Sequence, residues 1–212
     1  MSWIAPSISG CLLVLIATGC ASTPPRVGEK GASVPSSAEE KAYQETLDHY
    51  TDHAEVYDLL NLHMFTAVTY QSWPFREARV HRLATFQVQP QAIVEKNLAI
   101  ERSAFDSFHE FFFGVHIPYY RYDDFDRRNS MWRIALVTDA GETTPTSVER
   151  LGRADLNMRA IYPYMDDFWV AYRIRFPRST TNGEPVIPAG TKRIMVRIAS
   201  TLGKAELYFP AE

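Results

Sequence analysis

Cysteine is scarce in this 212-residue chain, occurring only as Cys11 and Cys20. Two thiols cannot hold together a disulfide scaffold. An excess of basic charge is missing too: 22 Lys and Arg stand against 25 Asp and Glu, for a formal net charge of −3. Nucleic-acid binders ordinarily carry a basic footprint, so no nucleic-acid partner is expected. The apolar content of 46% is too high for a disordered chain. Short catalytic signatures are absent as well: there is no Walker loop, no GxGxxG, no CxxC and no G-x-S-x-G elbow. Nor does any segment repeat at a fixed period.

What is present begins at the N-terminus. Met1 to Gly19 contains no charged residue, and Cys11-Leu-Leu-Val-Leu-Ile-Ala17 is a compact apolar core. That core falls short of the roughly 20 apolar residues of a transmembrane helix and suits the h-region of a secretory signal. Ala17-Thr18-Gly19-Cys20 then resembles the lipobox of bacterial lipoproteins, although the n-region lacks Lys or Arg and Ala17 stands where Leu is commoner. The resemblance implies cleavage before Cys20, acylation of its thiol and amine, and stable anchoring by two or more acyl chains. Ala21, rather than Asp, follows the cysteine, which under the enterobacterial sorting rule implies the periplasmic face of the outer membrane. The competing reading is an ordinary signal peptide or an uncleaved anchor in which Cys20 is incidental.

Residues 1–19 are therefore read as a signal peptide and 20–40 as the lipidated cysteine with its tether. The tether, ASTPPRVGEKGASVPSSAEE, has linker composition and would span on the order of 25 Å. Residues 41–212 are expected to form one domain. Lys41 to His53 suits a short helix, and Val56 to Tyr70 alternates like one long strand, with a helix over Ala54 to Leu62 as the alternative. A helical insertion over about 73–107 is marked by Pro74 and Pro90. His109 to Ile117, apolar on both faces around Phe111, Phe112 and Phe113, reads as a central strand covered from two sides. Further strands run through Trp132–Leu136, Phe168–Phe176, Ile194–Ile198 and Ala205–Phe209, with Phe168 inward. The expected fold is mainly β with a helical insertion, an antiparallel immunoglobulin-like sandwich of about seven strands. Phe111, Phe113, Val170, Tyr172, Ile174, Val196 and Leu207 are its expected core.

Chemistry-bearing patterns are few. His109-Glu110 opens like the zinc-protease HExxH, but Phe113 occupies the second ligand position, and His116 would point to the opposite face of the strand. Asp123-Asp124-Phe125-Asp126 lacks the glycine and closing Glu of a calcium loop. No metal and no cofactor is expected. Two surface features remain. Tyr119, Tyr120 and Tyr122 precede one Asp-Asp-Phe, and Tyr162 and Tyr164 precede another; such tyrosines can stack on sugars or anchor a protein. Arg173, Arg175, Arg193 and Arg197 would form a cationic row if their two strands were neighbours, with Glu206 as a possible interleaving acid. The expected function is a lipid-anchored, non-catalytic envelope module with an envelope protein or glycan as partner. The alternative is a hydrolase of envelope glycans or lipids using His109, Asp124 or Asp166.

Overall fold

The computed structural model describes residues 38–211; the signal segment, Cys20 and nearly all of the tether lie outside them. Among the described residues the chain is mainly β, with two antiparallel sheets and four α-helices. In chain order these are α1 (Ala38–His49), β1 (Thr51–Asp58), β2 (Asn61–Tyr70), α2 (Trp73–Gln87), α3 (Gln91–Ser107), β3 (Phe108–His116), β4 (Arg133–Thr138), β5 (Gly141–Thr143), β6 (Ser147–Arg153), α4 (Leu156–Ile161), β7 (Val170–Pro177), β8 (Arg193–Ser200) and β9 (Gly203–Pro210). One sheet runs β1-β2-β3-β7-β6 and the other β5-β4-β8-β9.

The inner faces meet through aromatic rings. Phe111 of β3 lies edge-on to Phe176 at 5.7 Å and touches Phe209 of the other sheet at 5.3 Å. Phe113 contacts Tyr172 and Phe125. Phe111, Phe113, Tyr172, Ile174, Val196 and Leu207 are fully buried, and each such side chain contributes about 1.5–3 kcal/mol by leaving water. Val170 is only partly buried, because it starts β7 at the rim. A second tie between the sheets lies at Gly203, φ +141°, where a Cβ would stand 2.6 Å from Val56 Cγ1. No side chain fits there.

The opposite face of β3 is covered as well, though not mainly by the helical pair. Tyr162, in the segment after α4, stacks on Phe112, Phe75 of α2 packs on Tyr162, and Tyr43 of α1 packs on Phe75. Gly114 lets Met165 and Trp169 approach: a Cβ there would lie 3.3 Å from Met165 Sδ and 3.2 Å from Trp169 Cε3. Helix α3 packs on α2 through a small satellite cluster of Val80, Ala84 and Val94. Ser72 caps α2 by accepting from the Phe75 amide at 3.3 Å, with Pro74 in the first turn.

Four expectations are corrected. The long strand over 56–70 is a hairpin, reversed at Leu59-Leu60, with Leu59 at φ +53°. Alternation continues across this turn without the usual Asn-Gly signal, so the pattern hides it. Phe168 is 74% exposed instead of inward, because the Asp166 carboxylate accepts from its amide at 2.8 Å and turns the chain so that Trp169 is buried. The described residues form nine strands instead of about seven, because the polar segments β5 and β6 also pair into the sheets. Finally, β7 and β8 belong to different sheets, so the four arginines form no single row.

Candidate functional site

At one end of the five-stranded sheet the segment after β3, the last residues of β6 and the first of β7 converge. They enclose a cleft of about 380 Å³ lined by Ile117, Tyr120, Asp123, Asp126, Arg127, Arg150, Arg153, Phe168 and Val170. Tyr120 and Phe168 project into solvent, each 74% exposed. They belong to the two Asp-Asp-Phe segments, 48 residues apart in sequence.

Local structure explains how the charges reach the cleft. Arg150 and Arg153 are three positions apart and would sit on opposite faces of a regular strand. A bulge in β6, with Gly152 at φ +103°, sets Arg150 opposite Tyr172 and Arg153 opposite Val170, both on one face. Arg150 then pairs with Asp123 at 2.6 Å, and Asp123 also accepts from the Tyr172 hydroxyl at 2.5 Å. Burial, reinforced by the Asp123 hydrogen bond, raises the Tyr172 pKa, so the phenol remains a neutral donor. Arg127 and Arg153 have no acidic partner among the described residues. Asp124 is occupied otherwise: it accepts from Ser130 Oγ at 2.9 Å and holds the loop before β4.

The remaining residues singled out in the sequence are distributed as follows. Tyr119 is half-exposed beside Tyr120 and packs edge-on against Tyr122, whose carbonyl accepts from Trp132 Nε1 at 2.7 Å. Tyr162 is 3% exposed and lies between Phe112 and α2. The Tyr164 hydroxyl is 2.8 Å from Thr69 Oγ1, and its ring meets His53. The two tyrosine segments thus lie apart in role: the second reaches the cleft through Phe168 alone. Arg173 and Arg175 point at Glu149 (3.1 Å) and Glu110 (2.7 Å). On the other sheet Arg193 lies over the Tyr208 ring at 3.9 Å, and Arg197 pairs with Glu142 (3.1 Å) and Glu206 (3.4 Å).

A second polar assembly lies under α2 and α3. Arg76, 1% exposed, contacts Glu101 at 2.5 Å and donates from Nε to the Gln71 carbonyl at 2.8 Å, while its Nη2 is 3.3 Å from Glu110. Arg79 adds 2.7 Å to Glu101. This network binds the helical pair to β3, and a small cavity of about 130 Å³, lined by Arg79, Glu101 and Asn97 among others, lies beside it. The groove between α1 and α2, about 540 Å³, is crossed by Arg82, which pairs with Glu40 at 2.7 Å and stacks on Tyr43 and Phe86.

The possible hydrolytic group does not assemble. His109 is the second residue of β3 and is buried against Tyr70, whose hydroxyl is 3.3 Å from Nδ1. Asp124 instead holds the loop before β4, and Asp166 precedes Phe168, which meets His116 at the other end of β3. Burial, together with the Arg178 charge, pushes the His109 pKa down to about 3. Among the described residues no three His, Cys, Asp or Glu side chains stand close enough to share a metal ion, and no helix is long and apolar enough to cross a membrane.

No protein-family model, curated protein or solved structure gives a significant match to this chain.

Proposed function

We propose that this chain is a bacterial envelope lipoprotein, anchored through Cys20 at the periplasmic face of the outer membrane, whose folded part is a non-catalytic binding module. Its contact surface is the cleft between Tyr120 and Phe168. The observation that carries this reading is the convergence of two exposed rings from distant segments with the guanidinium groups of Arg127 and Arg153, which have no acidic partner among the described residues. Water-exposed aromatic rings beside cations are costly as surface and valuable as anchors, which is why hot spots are rich in Tyr and Arg. The anchor rests on the lipobox and the tether. The two facing sheets are read as a β-sandwich with immunoglobulin-like layering, a rigid frame on which loops at one end carry the contact.

Two measurements on the full-length protein test this. Mass spectrometry of the native N-terminal peptide should show Cys20 acylated and residues 1–19 removed; an unmodified N-terminus elsewhere sinks the anchor. Tyr120→Ala combined with Phe168→Ala should abolish recovery of an envelope partner from detergent extracts while leaving the melting temperature nearly unchanged. A folded double variant that retains every partner removes the cleft from consideration.

A further inference from the structure

The ring surface does not stop at Phe168. The antiparallel register sets Phe65 of β2 opposite His116 of β3, so the β1–β2 turn lies at the same end of the sheet as the cleft. Rings continue across that end. His116 meets Phe168 edge-on at 6.4 Å, and its Nδ1 lies 3.3 Å from the Phe168 carbonyl. Phe65 stacks on His116 at 6.4 Å, and Tyr57, half-exposed, meets Phe65 edge-on at 6.2 Å. The file leaves the cleft at its rim, where Phe168 stands, and runs over the outer face of the sheet, opposite to that of Val170 and Arg153, to the edge strand β1.

We propose that this file is an extended track for an oligosaccharide strand bearing carboxylate groups. Tyr120 and Phe168 form one subsite, Phe65 and Tyr57 a further one, and Arg127 and Arg153 read the carboxylates. The inference rests on the cleft being the contact surface. Sugar rings have apolar C–H faces and polar rims, so successive units of a thin chain can lie on successive aromatic rings while hydroxyls face water. A guanidinium fork matches a carboxylate bidentately; among the described residues Arg127 and Arg153 have no acidic partner, whereas Arg150 is held by Asp123. A bilayer is a poor occupant: Asp126 lines the cleft and Glu55 and Asp58 flank Tyr57 along β1, and burying carboxylates is costly. A single file of rings also lacks the broad apolar centre, within about 800 Å² per partner, of a stable protein interface.

The test uses full-length protein in detergent and titration calorimetry with three probes. These are a disaccharide and an octasaccharide of alternating N-acetylglucosamine and N-acetylmuramic acid, and chitooctaose, which has the same backbone without carboxylates. The acidic octasaccharide should bind about tenfold tighter than either the disaccharide or chitooctaose, a difference of about 1.4 kcal/mol. Tyr57→Ala, on an exposed ring of the edge strand, should remove the gain with length, bringing octasaccharide affinity down to that of the disaccharide. Arg153→Gln should remove the preference over chitooctaose. Equal affinity for short and long probes, or for acidic and neutral ones, overturns the track. If no saccharide binds while Tyr120→Ala with Phe168→Ala still releases an envelope partner, the glycan inference fails and the cleft stands. If that variant also retains every partner, both fail.

Discussion

The ring of Tyr162 lies flat on that of Phe112, with centroids 3.6 Å apart and planes 7° from parallel. This contact closes the outer face of β3 and joins the segment after α4 to the sheet. Tyr162→Ala should therefore cost about 3 kcal/mol or more, as truncation of a buried aromatic side chain does. Tyr120→Ala, at an exposed position of the same residue type, should stay within about 0.5 kcal/mol. Thermal melts of the two variants side by side check this; similar melting points would mean the stack contributes little.

Arg76 makes the corresponding polar contribution beneath α2. Its removal leaves Glu101 and Glu110 short of a cation in a nearly dry setting, although Arg79 and Arg175 remain on them. Arg76→Ala should cost about 3 kcal/mol. Arg197→Ala on the solvent face of β8 should cost no more than about 1 kcal/mol. Urea denaturation distinguishes the two, and a small loss at Arg76 would make the buried network dispensable.

His109 should make the fold sensitive to acid. Above pH 6.5 the imidazole is neutral in both states and has no effect on the balance. Between about pH 6.5 and its folded value of about 3, the unfolded chain takes up a proton that the folded chain refuses, so stability falls as pH falls. The slope approaches about 1.4 kcal/mol per pH unit. In His109→Gln the difference in melting temperature between pH 7.5 and pH 4.5 should shrink. An unchanged difference would assign the acid sensitivity to other groups.

Leu59 holds φ +53° at the hairpin turn and is 93% exposed. A left-handed backbone costs a branched apolar residue about 1 kcal/mol that Asn largely avoids. Leu59→Asn should raise the urea midpoint accordingly, with an unchanged m-value. A lower midpoint would mean that the leucine makes a contact that stabilises the turn.

Periodicity alone determined much of the frame. The alternation through Phe111 and Phe113, through Tyr172 and Ile174, and through Val196 and Leu207 marks inward faces, because a strand exposes successive side chains to opposite sides and water separates the two sets. The two-sided apolar run of β3 likewise revealed a strand covered twice, and Pro74 and Pro90 marked the helical pair. The hairpin at Leu59 stayed hidden because its turn uses a residue that turn chemistry disfavours.

Other features exist only in three dimensions. Which sheet a strand joins depends on long-range pairing, so the separation of Arg173 and Arg175 from Arg193 and Arg197 could not be read from alternation, which is the same in either sheet. The composition of Tyr162-Pro163-Tyr164 resembles that of the Tyr119–Tyr122 segment, yet one is buried by Phe112 and the other is left at the rim. The cleft follows from a bulge that aligns Arg150 with Arg153, and from an Asp166 turn that sends Phe168 outward and Trp169 inward. Local sequence sets which side chains prefer water; tertiary pairing decides which of them meet.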